Sequence, residues 1–514
     1  MTGGGAADRE PVGTFCLVLH THLPWLAHHG AWPVGEEWLH QAWSSSYLPV
    51  LDLLERLAAE GRRELVTLGM TPVLAAQLDD PYCLEQQHVW LGFWQARAEA
   101  LGSRSDPRAR ELGSYEFRRA QQAFAAFERR WTHGASPVLA GLADSGAVEL
   151  LGGPATHPFQ PLTEDRVVAY GLQVGRDDAR QRLGRAPAGI WAPECGYRPG
   201  LERLYAAAGV GHLLVDGPTL LGAGRSTAAG WRLGDSDVVA FGRDLEVSYR
   251  VWSPRRGYPG GRWYRDFHTL DHDSGFRPAR VTSTRTPSHD KAPYDPARAA
   301  VAVESDARDF VEVVRGRLAD LRAEREGRPG MVVAAYDTEL FGHWWHEGPQ
   351  WLERVLRLLP EAGIRVTTLN GAREAGLVEG AVWPGAGSWG SGKDWRVWDG
   401  PGVADLVESH RAAQHRVLDA VDKAMDRPGG RDARDPALDQ LVRQLLLLLA
   451  SDWAFMVTKD SAAGYARDRA HGHASDLHRL ADLVESGRTV AAAAEAARQR
   501  AYDGPFGHLD ARLL

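Results

Sequence analysis

The sequence predicts an α/β fold, either a parallel barrel or an open parallel sheet. Two observations carry that expectation. Short apolar runs alternate with amphipathic segments up to about residue 399, and several runs end in tracts dense in carboxylates, imidazoles and indoles. Strands are expected at residues 15–19, 65–68, 148–151, 189–191, 212–215, 238–241, 331–335 and 364–368. Amphipathic stretches such as residues 48–57 separate them, as a βα alternation requires. Residues 84–131, rich in Gln, Arg, Ala and Glu, read as a helical insertion between the second and third strands. Residues 280–296, polar and proline-bearing, read as a loop. Beyond residue 399 the strand signal stops, and 404–514 reads as wholly helical.

Bulk properties narrow the function classes. With 514 residues, 44% hydrophobic and 25% charged, the chain can bury a substantial core. No stretch reaches the roughly 18 to 20 uninterrupted apolar residues of a membrane span. The nearest, residues 445–450, is bracketed by Arg443 and Asp452 and reads as a buried helix, so no membrane partner is expected. A net charge of -8 without a basic run argues against a nucleic-acid partner. Residues 1–10 lack the basic and apolar regions of a secretory signal. Cys16, Cys83 and Cys195 support neither a disulfide framework nor a Cys-x-x-Cys zinc site, and together these features point to a cytoplasmic protein. Nineteen tryptophans exceed what a core needs, and indole faces stack on sugar rings.

The tracts at the strand ends carry the chemistry. The densest follows the run at 331–335: Tyr336-Asp337-Thr338-Glu339-Leu340-Phe341-Gly342-His343-Trp344-Trp345-His346. Active sites of barrels and doubly wound sheets lie at the carboxyl ends of strands, so acids beside flat rings there suggest carbohydrate chemistry. Earlier come His20-Thr21-His22-Leu23-Pro24-Trp25, with both imidazoles on one face of a strand, and Ala155-Thr156-His157. Next is Trp191-Ala192-Pro193-Glu194-Cys195-Gly196-Tyr197, a carboxylate in a turn forced by Pro and Gly. The last runs from Ser388-Trp389-Gly390 to Trp395-Arg396-Val397-Trp398.

These tracts, in this order, resemble the motifs of glycoside hydrolase family 57. Within it the chain looks most like the α-1,4-glucan branching enzymes, through Trp32-Pro33, Gly35-Glu36-Glu37-Trp38, Phe241-Gly242-Arg243-Asp244, Val251-Trp252-Ser253, Gly257-Tyr258-Pro259-Gly260 and Ser451-Asp452-Trp453. The resemblance implies an incomplete (β/α)7 barrel with a helical insertion and an all-helical C-terminal domain. Expected boundaries are 11–83 and 138–385 for the barrel, 84–137 for the insertion and 386–514 for the helical domain completing the cleft. It implies a retaining enzyme that cleaves α-1,4 bonds of an α-glucan and transfers the chain to form α-1,6 branches. Glu194 is then the nucleophile and Asp337 the general acid/base, with no cofactor and no metal. Such chemistry needs two carboxyls about 5 to 5.5 Å apart, one ionised and one protonated, so their pKa values should be pushed apart. Trp32, Trp252, Trp389 and Trp398 are expected sugar platforms. Arg243, Gly260, Trp389 and Asp452 are expected to hold the glucan, and His20, His22 and His157 to bond sugar hydroxyls.

The chain departs from the family pattern twice. Residues 216–241 are short and contain no tyrosine, where branching enzymes carry a long tyrosine-tipped loop. Ala386-Gly387-Ser388-Trp389-Gly390 stands where Glu-Ser-Ser-Trp-Gly is usual. Weak branching beside hydrolysis is therefore expected, with α-amylase-like or 4-α-glucanotransferase activity as the alternative and the 255–265 loop as a substitute lid. The residues alone also fit a metal-dependent barrel hydrolase built on His20, His22, His157 and Asp337. That reading leaves Glu194 and the tryptophans unused. A non-catalytic glucan-binding protein would keep the tryptophans but not need the two carboxylates.

Overall fold

The computed structural model describes residues 11–253, 257–283 and 285–514. Expectations for residues 1–10 and for the start of the 255–265 loop lie outside them. The described chain folds around a ten-stranded sheet: β1 (Thr14–Thr21), β2 (Val66–Met70), β3 (Val148–Gly152), β4 (Gly189–Ile190), β5 (His212–Asp216), β6 (Gly230–Leu233), β7 (Val239–Arg243), β8 (Met331–Asp337), β9 (Arg365–Val366) and β10 (Val378–Val382). In space β8, β1, β2, β3, β4, β5 and β7 follow one another, all parallel. These make the incomplete seven-stranded barrel. Between β7 and β8 there is no ladder, and isolated hydrogen bonds such as Asp244 N–H to Val333 O at 2.8 Å bridge the gap.

Every residue of β1 and β2 is buried, as expected for strands covered on both faces. The expected strand at 364–368 shrinks to Arg365–Val366, because Thr367 bonds Glu64 and the Thr368 hydroxyl caps the helix Leu369–Glu374. β6 and β10 are absent from the sequence expectation. β6 spans four residues with Arg232 exposed, and β10 contains Glu379 and Gly380, so neither shows an apolar run. β6 pairs antiparallel with β7, and β10 pairs parallel with β6 at the sheet edge.

Helix starts follow a repeated local rule. Asp80-Pro81, Asp106-Pro107, Asp295-Pro296 and Asp435-Pro436 each place a carboxylate that accepts first-turn N–H groups before a proline that needs no partner. The first two begin the insertion helices Pro81–Gly102 and Pro107–Arg130. These cross closely enough that a Cβ at Gly113 would meet Gly102 N at 2.3 Å. After residue 404 the longer elements are the helices Ala404–Met425, Pro436–Leu448, Ser451–Lys459, Ala463–Glu485 and Thr489–Arg500. Pro436–Leu448 is buried from Ala437 to Leu448, as expected for the most apolar run. Among the described residues no helix is long and apolar enough to cross a membrane.

Candidate active site

The parallel strands deliver their polar residues to one end of the barrel. His22 follows β1, Thr71 follows β2, His157 follows β3 and Glu194 follows β4, while Asp216, Arg243 and Asp337 end β5, β7 and β8. The register sets His20 beside Asp337 across the β1/β8 pair.

Glu194 lies in the turn Pro193–Cys195, and both it and Cys195 adopt left-handed backbone, φ 60° and 51°. His157 does the same at φ 63°. Such conformations cost on the order of 1–3 kcal/mol each and persist where the surroundings enforce them. Here Trp389 N–H donates to Glu194 O at 2.9 Å, and Cys195 N–H to Ala192 O at 2.9 Å. The strained turn aims the carboxylate into the cleft, where Oε1 accepts from Ser451 Oγ and Oε2 from Trp389 Nε1, each at 2.7 Å.

The carboxyl of Asp337, partly open to the cleft, makes no hydrogen bond with the described residues. It lines a pocket of about 310 Å³ with Arg243, Trp252, Tyr336, Trp344 and Trp389. Burial pushes Glu194 and Asp337 both up, each to about 7, and the charge of Glu194 adds to the rise at Asp337. With both hydrogen bonds to Glu194 acting, the two values still coincide, so the expected separation of the pair is absent from the unliganded site. The groups differ in their partners: two donors hold the Glu194 carboxylate and none holds that of Asp337. Beneath them Glu339 is buried and pushed up to about 8, first by burial and then by Asp337. It accepts from Tyr47 Oη at 2.5 Å and from His22 N–H at 3.3 Å.

The imidazoles bond to one another and to neighbouring protein groups. His20 Nε2 lies 3.1 Å from His157 Nε2, and His157 Nδ1 lies 2.9 Å from Ser451 Oγ. His20 stacks on Trp191 at 4.2 Å and His157 on His22 at 3.8 Å. Burial and neighbouring imidazoles hold His20 and His157 well below the ordinary imidazole range, so both are neutral. Both are 2% exposed, so the expected bonds from them to sugar hydroxyls give way to bonds within the protein. His22 is more open and contacts Asp452 at 3.0 Å and Thr71 Oγ1 at 3.0 Å. His22, His157 and Asp452 bring possible ligand atoms within 4.8 Å of one another, yet the hydrogen bonds above already occupy them.

The expected platforms divide. Trp389 and Trp252 face the pocket beside Asp337, with Trp252 51% exposed and stacked on Trp344 at 6.0 Å. Trp32, 66% exposed, lines a neighbouring cavity that also includes Trp344. Trp398 is corrected: it is 2% exposed and stacked on Phe159 at 4.5 Å, so it packs the loop that carries Trp389. Gly260 is the exposed end of the turn Tyr258–Gly260, whose Tyr258 is buried, and it is absent from the lining of both pockets. Arg243 lies over the Trp389 ring at 5.2 Å and donates to Asp216 at 2.8 Å, so it supports the platform from below. Sequence reasoning missed Ser451, Thr71 and Glu339. Ser451 and Glu339 stood inside recognised tracts without a role of their own, and Thr71 stood in none.

Comparison with known proteins gives the family. A model described as glycosyl hydrolase family 57 matches residues 16–374, and one described as 1,4-alpha-glucan branching enzyme, C-terminal, matches 409–514. The chain belongs to glycosyl hydrolase family 57. It is 54% identical to a probable 1,4-alpha-glucan branching enzyme of Mycobacterium tuberculosis, over 98% of each chain. It superposes on the crystal structure of a GH57-type branching enzyme from Pyrococcus horikoshii with TM-score 0.90 and 32% identity, covering 98% of this chain and 96% of that one. The alpha-amylase AmyC from Thermotoga maritima gives TM-score 0.86 at 26% identity, over 98% of each.

The two departures from the family motifs touch each other. Residues 216–241 hold the short helix Gly217–Leu221 and β6, which leaves no length for a long lid. From that helix Thr219 approaches Gly387, where an added Cβ would meet its Oγ1 at 2.3 Å. The glycine in the motif thus accommodates the shortened segment.

Proposed function

We propose that this chain is a retaining 1,4-α-glucan branching enzyme, with Glu194 as nucleophile and Asp337 as general acid/base. The observation that carries the reading is the asymmetric pair of carboxyls at one barrel end, one held by two donors and one bare beside sugar-sized aromatic faces. Glu194 attacks the anomeric carbon while protonated Asp337 gives its proton to the leaving oxygen. Ionised Asp337 then takes the proton from an incoming 6-hydroxyl, and the glycosyl bond to Glu194 breaks. The name of the M. tuberculosis relative supports the same activity. The division into a barrel of 11–83 and 138–385, an insertion of 84–137 and a helical domain of 386–514 belongs to this proposal. Ser451 and Asp452 from the helical part support it by reaching Glu194 and His22.

Hydrolysis competes with transfer in this reading. The short 216–241 segment favours it, since a lid excludes water from the covalent glucan, and AmyC shares the scaffold. A difference of about 1.4 kcal/mol between the two barriers changes the product ratio about tenfold. Incubation with amylose, counting new α-1,6 linkages against new reducing ends, is expected to give short branches together with measurable hydrolysis. Reducing ends without branches would replace the proposal by the amylase-like reading, and no turnover would remove both.

A further inference from the structure

We propose that Ser451 is a positioning residue for Glu194, the terminus of a one-directional hydrogen-bond chain running His20, His157, Ser451, Glu194. The proposal rests on Glu194 as nucleophile and adds the group that orients it. The direction follows from counting protons. Ser451 has one hydroxyl hydrogen, given to Glu194 Oε1 at 2.7 Å, so its oxygen accepts from His157 Nδ1–H at 2.9 Å. His157 is neutral, which leaves Nε2 as an acceptor for His20 Nε2–H at 3.1 Å. His20 is neutral too, so its Nδ1 carries a lone pair. That atom is buried with no partner, which suits an acceptor nitrogen better than an N–H donor. Each link therefore donates toward the carboxylate, and the opposite sense would bury an orphan donor at His20.

The chain also explains why the helical C-terminal region must be docked for the carboxylate to be held. Ser451 is the first residue of the helix Ser451–Lys459, and its N–H donates to His157 O at 3.0 Å, beside the bridge between Pro158 and Ala450. Backbone and side chain of one residue thus clamp the strained His157 turn to the strained Glu194 turn. On the other side of Glu194, Trp389 supplies the second donor from a separate loop. The carboxylate has one oxygen fixed by each, which leaves its free lone pairs directed at the cleft.

Ser451→Ala removes one donor from the ionised carboxylate, which raises the Glu194 pKa, so the acid limb of kcat/KM must move to higher pH. The other charged groups around Glu194 are Asp337 on β8, Asp452 beside Ser451, and Arg243 and Lys393, which are both paired with Asp216. None of them is altered by the substitution. On amylose, kcat is expected to fall about ten- to a hundredfold with KM within about threefold. Ser451→Cys, with its weaker donor, is expected to move the limb in the same direction, and it serves the test if the alanine variant does not fold. An unmoved acid limb in whichever variant folds, or a loss confined to KM, overturns the proposal. Glu194→Gln assayed alongside separates the two failures: if it stays active, the nucleophile assignment itself is wrong.

Discussion

The ends of β4 and β8 present the same functional group in opposite settings. At β4 the carboxylate sits on strained backbone, fixed by donors from two distant segments. At β8 it simply continues a regular, buried strand, at φ -66°, and meets the cleft without a partner. Both pKa values are raised to about 7, chiefly by burial, with the two hydrogen bonds lowering that of Glu194 and the charge of Glu194 adding to the rise at Asp337. Division of labour between two carboxyls therefore comes from hydrogen bonding and backbone geometry, not from depth. A nucleophile needs a fixed direction, whereas a group that gives and retakes a proton needs freedom from competing donors.

Exchanging either group tests that contrast most severely. Glu194→Gln and Asp337→Asn should each fold and lose at least about a thousandfold in rate, because neither role has a substitute nearby. The contrast sharpens with azide and an activated glycosyl donor. Azide should restore turnover to Asp337→Ala, whose covalent intermediate still forms, and should do nothing for Glu194→Gln. Rescue of the Glu194 variant alone would reverse the assignment.

The same contrast marks what the sequence can reveal. The β8 tract is continuous, from the apolar run through Asp337 to Trp345, so strand, site and aromatic setting are legible together. The Glu194 turn is legible as a motif flanked by Pro and Gly, and so is His157. The Glu194 donor is legible only as part of the tract Ser451-Asp452-Trp453, and nothing joins it to Glu194, because Ser451 lies 257 residues away at the start of a helix, where a serine has ordinary structural uses. The buried pairing of His20 with His157 is hidden for the same reason, since strand periodicity gives the face of His20 but not its partner. Trp398 shows the converse error. Its tract looks like a row of platforms, and only packing against Phe159 separates the buried ring from the exposed ones. The weak β6 and β10 lack the apolar runs that made the barrel strands readable.

Glu339 offers a milder perturbation of the β8 side. Its folded pKa is raised from 4.5 to about 8 by burial and then by Asp337. A carboxyl raised on folding contributes stability that is fully present below its unfolded pKa, near 4.5, and lost as pH rises through about 8. The wild-type melting temperature should therefore fall between pH 6 and 9. Glu339→Gln, which still accepts from Tyr47 but cannot ionise, should lose its own share of that fall, a few kcal/mol at most, while the share of Glu194 and Asp337, both raised to about 7, remains. Equal pH slopes in the two proteins would mean that Glu339 is already ionised at pH 6.

The smallest expected effect is that of a chelator, and it tests whether the imidazole cluster belongs to the Glu194 side at all. A divalent ion on His22, His157 and Asp452 would need a free nitrogen on each imidazole. His22 Nε2 is already directed at Asp452, His157 Nδ1 at Ser451 and His157 Nε2 at His20. Metal binding at His157 would therefore break a link of the chain to Glu194 and weaken the direction of the nucleophile. Dialysis against a strong chelator should leave turnover unchanged within about twofold, and added zinc should inhibit rather than activate, since it competes for those nitrogens. Stoichiometric zinc retained through purification, with activity lost on its removal and restored on its return, would instead make the imidazoles the reacting centre. The two-carboxyl account would then fail at both strand ends together, since a metal-bound water needs neither a directed Glu194 nor a proton-holding Asp337.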